Sequence, residues 1–266
     1  MIKYLVYPVR AVFSIYGFLV FISLMFLVFP LAIIASFFGK IRGGNFIYDI
    51  SRFWANASMF LWGMPHKNTF EHPHDVKKQY VFIFNHISYV DIPVIFKAIR
   101  KQHFRVLGKA SLAKIPVFGF FYRNGAVMVD RSSAENRAKS LIELKSIIGH
   151  DISVVIAPEG TFNMTNRPLK EFYDGAFKIA IETQTPLKPI LFLDAYDRLN
   201  YKSIFSLNPG KSRAVFLEEI PVNGLTMDDV PLLKQKVFAL MEQRLIHYQA
   251  TWISNSTKFP DNSTIS

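Results

Sequence analysis

The chain has 266 residues, of which 50% are hydrophobic and 19% charged; Lys and Arg outnumber Asp and Glu 31 to 20, a net charge of +11. That composition excludes a disordered tail or linker, which is poor in apolar residues. The absence of Cys excludes disulfide scaffolds, Cys-ligated zinc and Cys nucleophiles.

A basic chain of this kind meets nucleic acid, anionic lipid or phosphorylated small molecules. The distribution of its apolar residues chooses among them. From Ala11 to Gly39 there is no charged residue, and Arg10 and Lys40 bracket the run. A bilayer core of roughly 30 Å needs about 20 helical residues, so the run is long enough to span with tilt or a bend. Pro30 removes one helical hydrogen bond and marks the expected bend. A cleaved leader would be shorter and would end in a small-residue cleavage site, and the run fits neither. A second apolar stretch, residues 53–64, carries Trp54, Phe60 and Trp62. Aromatics of this kind favour the membrane interface. Residues 1–65 are expected to form a membrane anchor of two helices, the second returning through the bilayer or lying on it. The alternative for the second is an ordinary helix packed on the globular domain.

After Pro65 short apolar runs alternate with amphipathic ones. Residues 80–84 read as a buried strand by run length and aromatic content. Further strands are expected at 104–107, 126–129, 153–157, 187–193 and 214–217. Ser132 and Glu135 have capping-box spacing ahead of Leu141, Leu144 and Ile148, and Gly149 ends that helix. Residues 172–184 and 231–249 are further helices, with Pro231 placed for a first turn. The alternation predicts an α/β domain over residues 66–253, a mixed, largely parallel sheet flanked by helices. The tail 254–266 is polar and expected to fray.

Common catalytic motifs are missing: there is no G-x-S-x-G and no H-E-x-x-H. Pro209-Gly210-Lys211-Ser212 imitates the end of a P-loop, but the earlier Gly that motif requires falls at Phe205. His72 and His74 have no third ligand at a suitable spacing, so they read as a surface loop and no metal site is expected. The informative place is the end of the first predicted strand, Asn85-His86-Ile87-Ser88-Tyr89-Val90-Asp91. Ligands in α/β sheets bind at strand ends. On a regular helix His86 and Asp91 would lie about 140° apart. They meet only if His86 sits on the turn and Asp91 opens the following helix, where Pro93 is tolerated. A carboxylate at one imidazole nitrogen makes the other a competent general base. The same spacing also suits a plain arrangement in which Asp91 caps a helix and His86 is a loop residue.

The segment Asn85-His86-x-x-x-x-Asp91 resembles the first signature block of the glycerolipid acyltransferases, the 1-acylglycerol-3-phosphate acyltransferase group. Three further blocks follow in order. Gly125-Ala126-Val127-Met128-Val129-Asp130-Arg131 resembles the second, Ala157-Pro158-Glu159-Gly160-Thr161 the third, and Thr185-Pro186-Leu187-Lys188-Pro189-Ile190 the fourth. Gly108-Lys109-Ala110 resembles the family's Lys-containing helix start, and Gly175-Ala176-Phe177 the opening of a later helix. The resemblance covers roughly residues 65–220.

It implies transfer of an acyl chain from acyl-CoA or acyl carrier protein, as co-substrate, to 1-acyl-sn-glycerol-3-phosphate, with no other cofactor. His86 would be the general base and Asp91 its orienting partner. Asn85, Lys109, Arg131, Glu159, Gly160 and Thr161 would contact substrate. Of these, Lys109 and Arg131 would hold phosphate, and backbone N–H groups of the third block would help hold the oxyanion. The partners implied are the lipid bilayer and the lysolipid, not nucleic acid. The location implied is the inner membrane, with the domain facing the cytoplasm. Four departures stand out. Ala157 replaces a usual Phe, Phe162 and Asn163 stand where many members have Arg and Ser, and Tyr173 stands where a basic residue often precedes Gly-Ala. These leave open a lysolipid acceptor without phosphate, such as an amino-acid-containing lipid.

Overall fold

A computed structural model describes residues 2–129 and 134–253. Ser132 of the expected capping box and the tail 254–266 lie outside the described residues.

The sheet follows from the apolar runs. Every residue of β2 (Val81–Phe84), β5 (Ser153–Ile156) and β6 (Leu187–Phe192) is buried. Continuous apolar runs of this kind belong to strands covered on both faces. With β1 (His66–Phe70), β3 (Phe104–Lys109), β4 (Ala126–Val129) and β7 (Ser212–Phe216) they form a 7-stranded sheet ordered β1-β7-β6-β2-β5-β3-β4. All neighbours are parallel except β6 and β7. The expected mixed, largely parallel sheet is therefore present. Strand β1 has no counterpart in the hydropathy pattern. It reads His-Lys-Asn-Thr-Phe and lies at an edge, paired only with β7, so little of it is buried.

The chain moves outward along the sheet from β2 to β3 to β4, then back through β5 to β6. Right-handed crossovers that reverse direction put their helices on opposite faces. The packing follows that rule. Helices α3 (Asp91–Ala98) and α4 (Phe118–Gly125) lie with the N-terminal helices, whereas α5 (Ala134–Ile148), α6 (Gly175–Thr183) and α8 (Val230–His247) pack together on the other side. A short helix, α7 (Ala195–Arg198), follows β6. The reversal leaves β2 and β5 adjacent, with their following segments diverging.

Residues 1–65 contain two helices, α1 (Ile2–Ser36) and α2 (Gly44–Leu61), joined by a π-turn at Gly39–Gly43. They form an antiparallel hairpin. The Trp62 indole donates to Gly17 O at 3.0 Å, the Trp54 indole to Phe21 O at 3.3 Å, and Gly43 lies against Ala35. Helix α1 continues through Pro8 and Pro30. By length and composition it can cross a membrane: the span Tyr7–Ser36 contains an 18-residue stretch of mean hydropathy 2.9, of which only 22% is buried. Helix α2 begins well before the apolar stretch at 53–64, because Asp49 and Arg52 interrupt the hydropathy signal without interrupting the helix. It packs on α3 and α4, and the buried Tyr48 hydroxyl donates to Ile99 O at 2.6 Å. The packed-helix alternative therefore describes its inner face. Its outer face exposes Phe46, Phe53 and Phe60 at helical repeats.

Arg105 of β3 fastens this hairpin to the sheet. It is 2% exposed, and its guanidinium donates to Ile41 O at 3.2 Å, Asn45 Oδ1 at 2.8 Å and Phe104 O at 3.0 Å. All these partners are uncharged, and burial pulls its pKa down to about 10. Arg105→Met keeps the volume and removes the donors. It is expected to leave buried carbonyls unpaired and to lower stability by about 1–3 kcal/mol. Urea unfolding measures the loss, and hydrogen exchange should quicken first at residues 40–45.

Candidate active site

Strand β2 delivers the chain to the sheet's carboxyl edge at Phe84, and Asn85 secures the exit. Its amide donates to Phe192 O at 3.1 Å and its Oδ1 accepts from Phe192 N at 2.8 Å. That reciprocal pair extends the β2–β6 ladder with a side chain. Asn85 is 1% exposed and turned into the core, so the substrate contact expected of it is not what the structure shows. Its hydrogen-bonding capacity is directed to the adjacent strand.

Asp91 is the first residue of α3, and its side chain points back along the loop. One oxygen, Oδ2, accepts from His86 Nδ1 at 2.7 Å, Ile87 N at 2.9 Å and Ser88 N at 2.9 Å. The carboxylate therefore both folds the turn and orients the imidazole. The plain cap arrangement does not occur, since the α3 N-cap position is Val90 and no side chain caps the helix. A carboxylate at Nδ1 selects the tautomer that leaves Nε2 as proton acceptor. Asp91 is fully buried, while the His86 side chain is 25% exposed. Ser88 holds the turn from beneath. Its hydroxyl donates to Leu199 O and accepts from Val90 N at 3.1 Å.

The segment after β5 comes alongside. Gly160 has φ +70°, a conformation that suits Gly, and its N–H donates to Ala157 O at 3.0 Å. In this structure that donor is used within the turn. Glu159 is fully buried and does not line the cavity. Its Oε1 accepts from His86 N at 2.9 Å and its Oε2 from Lys170 N at 2.8 Å. The acceptor contact expected of Glu159 is thus replaced by a clamp on two backbones. Asn163 N donates to His86 O at 2.8 Å and completes the join. Thr161 Oγ1 accepts from the Lys170 ammonium at 2.9 Å.

Beside these segments lies a cavity of about 820 Å³. His86, Ser88, Lys109, Gly160 and Thr161 form its polar end, at the carboxyl ends of the strands. The rest of its wall is apolar, with Met25 and Trp54 from the hairpin, Phe104 and Leu107 from β3, and Phe121 from α4. Of the expected substrate contacts, Lys109, Gly160 and Thr161 line this cavity, and Arg131 lies outside the described residues. Sequence reasoning did not identify the hairpin residues as cavity wall, because hydropathy does not distinguish lining a cavity from facing lipid. It singled out Phe162 only as a departure. In the structure the Phe162 ring stands 4.5 Å from the imidazole, centroid to centroid.

Burial pushes the Glu159 pKa up to about 8 from 4.5, against the pull of its two backbone N–H donors. A carboxyl that holds its proton more tightly folded than unfolded favours the native state most below pH 4.5, and that contribution is lost as pH rises through about 8. Glu159→Gln removes this dependence and sets an amide N–H against one of the two donors. The variant should be less stable by about 1–3 kcal/mol. Its melting temperature should fall less steeply than the wild type's between pH 5 and 8, and calorimetry across that range checks both.

The Acyltransferase family model matches residues 66–193. A 1-acyl-sn-glycerol-3-phosphate acyltransferase of Haemophilus influenzae is 30% identical over 177 residues, covering 65% of this chain and 72% of that protein. Human 1-acyl-sn-glycerol-3-phosphate acyltransferase beta is 27% identical over 172 residues, covering 64% of this chain and 61% of its own length. The crystal structure of the 1-acyl-sn-glycerophosphate acyltransferase PlsC from Thermotoga maritima superposes with a TM-score of 0.70 at 18% identity, covering 92% of this chain and 100% of that one, a likeness of fold. By its sequence likeness to these proteins, the chain belongs to the glycerolipid acyltransferase family, in the 1-acyl-sn-glycerol-3-phosphate acyltransferase group.

Proposed function

We propose that the chain moves an acyl group from acyl-CoA or acyl carrier protein to the free hydroxyl of 1-acyl-sn-glycerol-3-phosphate, giving phosphatidic acid. The observation that carries this reading is the His86 Nδ1–Asp91 Oδ2 contact of 2.7 Å at the polar end of an apolar cavity of about 820 Å³. The cavity suits an acyl chain, and the imidazole suits the hydroxyl. His86 Nε2 takes the hydroxyl proton as that oxygen attacks the thioester carbonyl. Asp91 stabilises the imidazolium that forms. The C–S bond then breaks, and the leaving thiolate takes the proton back. Lys109 and Arg131 would hold the acceptor phosphate, as a point charge and a planar fork respectively.

The exposed apolar faces of α1 and α2 support docking on a bilayer, where the lysolipid resides. Because acyl-CoA and acyl carrier protein are cytosolic, the domain would face the cytoplasm at the inner membrane.

His86→Ala and Asp91→Asn should each lower turnover by about 10²–10⁴-fold with the fold intact. Thiol release in detergent, with acyl thioester and lysophosphatidate, is the measurement. Wild-type release no higher than background would sink the assignment.

One observation favours a second acceptor. An aromatic ring, Phe162, occupies the place beside His86 where the family resemblance implies Arg. A lysolipid without phosphate suits that surface. Lys109→Ala and Arg131→Ala decide between the two. If the acceptor carries phosphate, each should raise its KM about tenfold or more, since a charged hydrogen bond contributes about 1.5–3 kcal/mol. An unchanged KM favours the phosphate-free acceptor.

A further inference from the structure

The His86 imidazole, 25% exposed, is flanked by two rings. Phe84 lies edge-on to it at 5.6 Å between centroids, and Phe162 approaches from another direction at 4.5 Å with the planes at 65°. Tyr89, itself half exposed, stands edge-on to Phe162 at 4.8 Å. Phe162 is held in place by its neighbour. Asn163 is 1% exposed, its N–H donates to His86 O at 2.8 Å, and its side chain bonds Arg167 O at 3.0 Å and Thr165 N at 3.0 Å. The loop that carries Phe162 is thus tied to the backbone of the base it covers.

A base that activates a lipid hydroxyl beside a thioester can equally activate water. Attack by water breaks the same C–S bond and yields free acid and thiol, wasting the donor. Closing rings around the base limits that side reaction by excluding water. We infer that Phe162, buttressed by Tyr89, is a water shield on His86 that commits the base to a lipid hydroxyl and suppresses thioester hydrolysis. The inference rests on the acyl-transfer reading for its consequence and on the ring geometry for its cause. Phe162 is a shielding residue. It takes no proton and makes no bond to the reacting atoms.

The test compares wild type, Phe162→Ala and Phe162→Leu in detergent with an acyl-CoA donor. Thiol release is followed with and without lysophosphatidate, and free acid is separated from diacyl product. Phe162→Ala should raise acceptor-independent thiol release several-fold and increase the share of donor lost as free acid. Phe162→Leu keeps an apolar cover and should restore the wild-type partition. An unchanged share of free acid in a folded Phe162→Ala protein overturns the inference while leaving acyl transfer standing. A second readout is independent of turnover: the rate at which diethyl pyrocarbonate modifies His86, read by peptide mass. A several-fold faster rate in Phe162→Ala supports the shield, and an equal rate overturns it. If the wild type transfers to no lysolipid, the acyl-transfer reading falls, and the modification rates still decide whether Phe162 covers the base.

Discussion

One buried carboxylate joins the two halves of the site. Glu159 follows β5 and reaches the backbone of His86 with one oxygen and that of Lys170 with the other. It makes no surface for substrate. Together with the Asn163 N–His86 O bond, it fixes the end of β2 against the segment beyond β5. A neutral amide cannot accept twice in this way, so the acidic side chain is required by geometry even though its position opposes ionisation. Asp91 does the same work on a smaller scale, gathering two backbone N–H groups and one imidazole on a single oxygen.

These clamps matter because of where the sheet reverses. The chain leaves β2 toward one face and β5 toward the other, and the crevice between their carboxyl ends is the natural ligand position in an open α/β sheet. His86 comes from one side of that crevice and the Glu159–Phe162 segment from the other. The cavity then extends beneath the N-terminal hairpin, so the element with the strongest membrane character also walls the site. Arg105 holds that hairpin to β3 through uncharged oxygens, which keeps cavity wall and sheet as one body.

Much of this was legible in the residues. Buried parallel strands announce themselves as continuous apolar runs, and the expected strands at 80–84, 126–129 and 153–157 agree with β2, β4 and β5 within a residue at either end. The spacing of His86 and Asp91 allowed a pairing with one on a turn and the other at a helix start, and equally a plain cap; the 2.7 Å contact decides for the pairing. Elements that bury little were missed. Strand β1 is polar because it has one neighbour and an exposed flank. Helix α4, Phe-Gly-Phe-Phe-Tyr-Arg-Asn-Gly, is short and aromatic, and its first residues carry no cap signal.

By itself, the sequence determined the class of the fold, the apolar N-terminal run and a spacing that lets His86 and Asp91 meet across a turn. These depend on local periodicity, on an uncharged stretch and on a short spacing, all of which are properties of neighbouring residues. The tertiary structure decided which polar side chains face the cavity and which face the protein. Asn85 and Glu159 sit in signature blocks yet spend their hydrogen bonds on Phe192, His86 and Lys170. It also decided that Phe162 stands against His86 and that Met25 and Trp54 line the cavity. The physical reason is that a polar atom's partner, or a ring's neighbour, is supplied by a distant part of the chain. Spacing along the sequence carries no record of a contact made across the sheet.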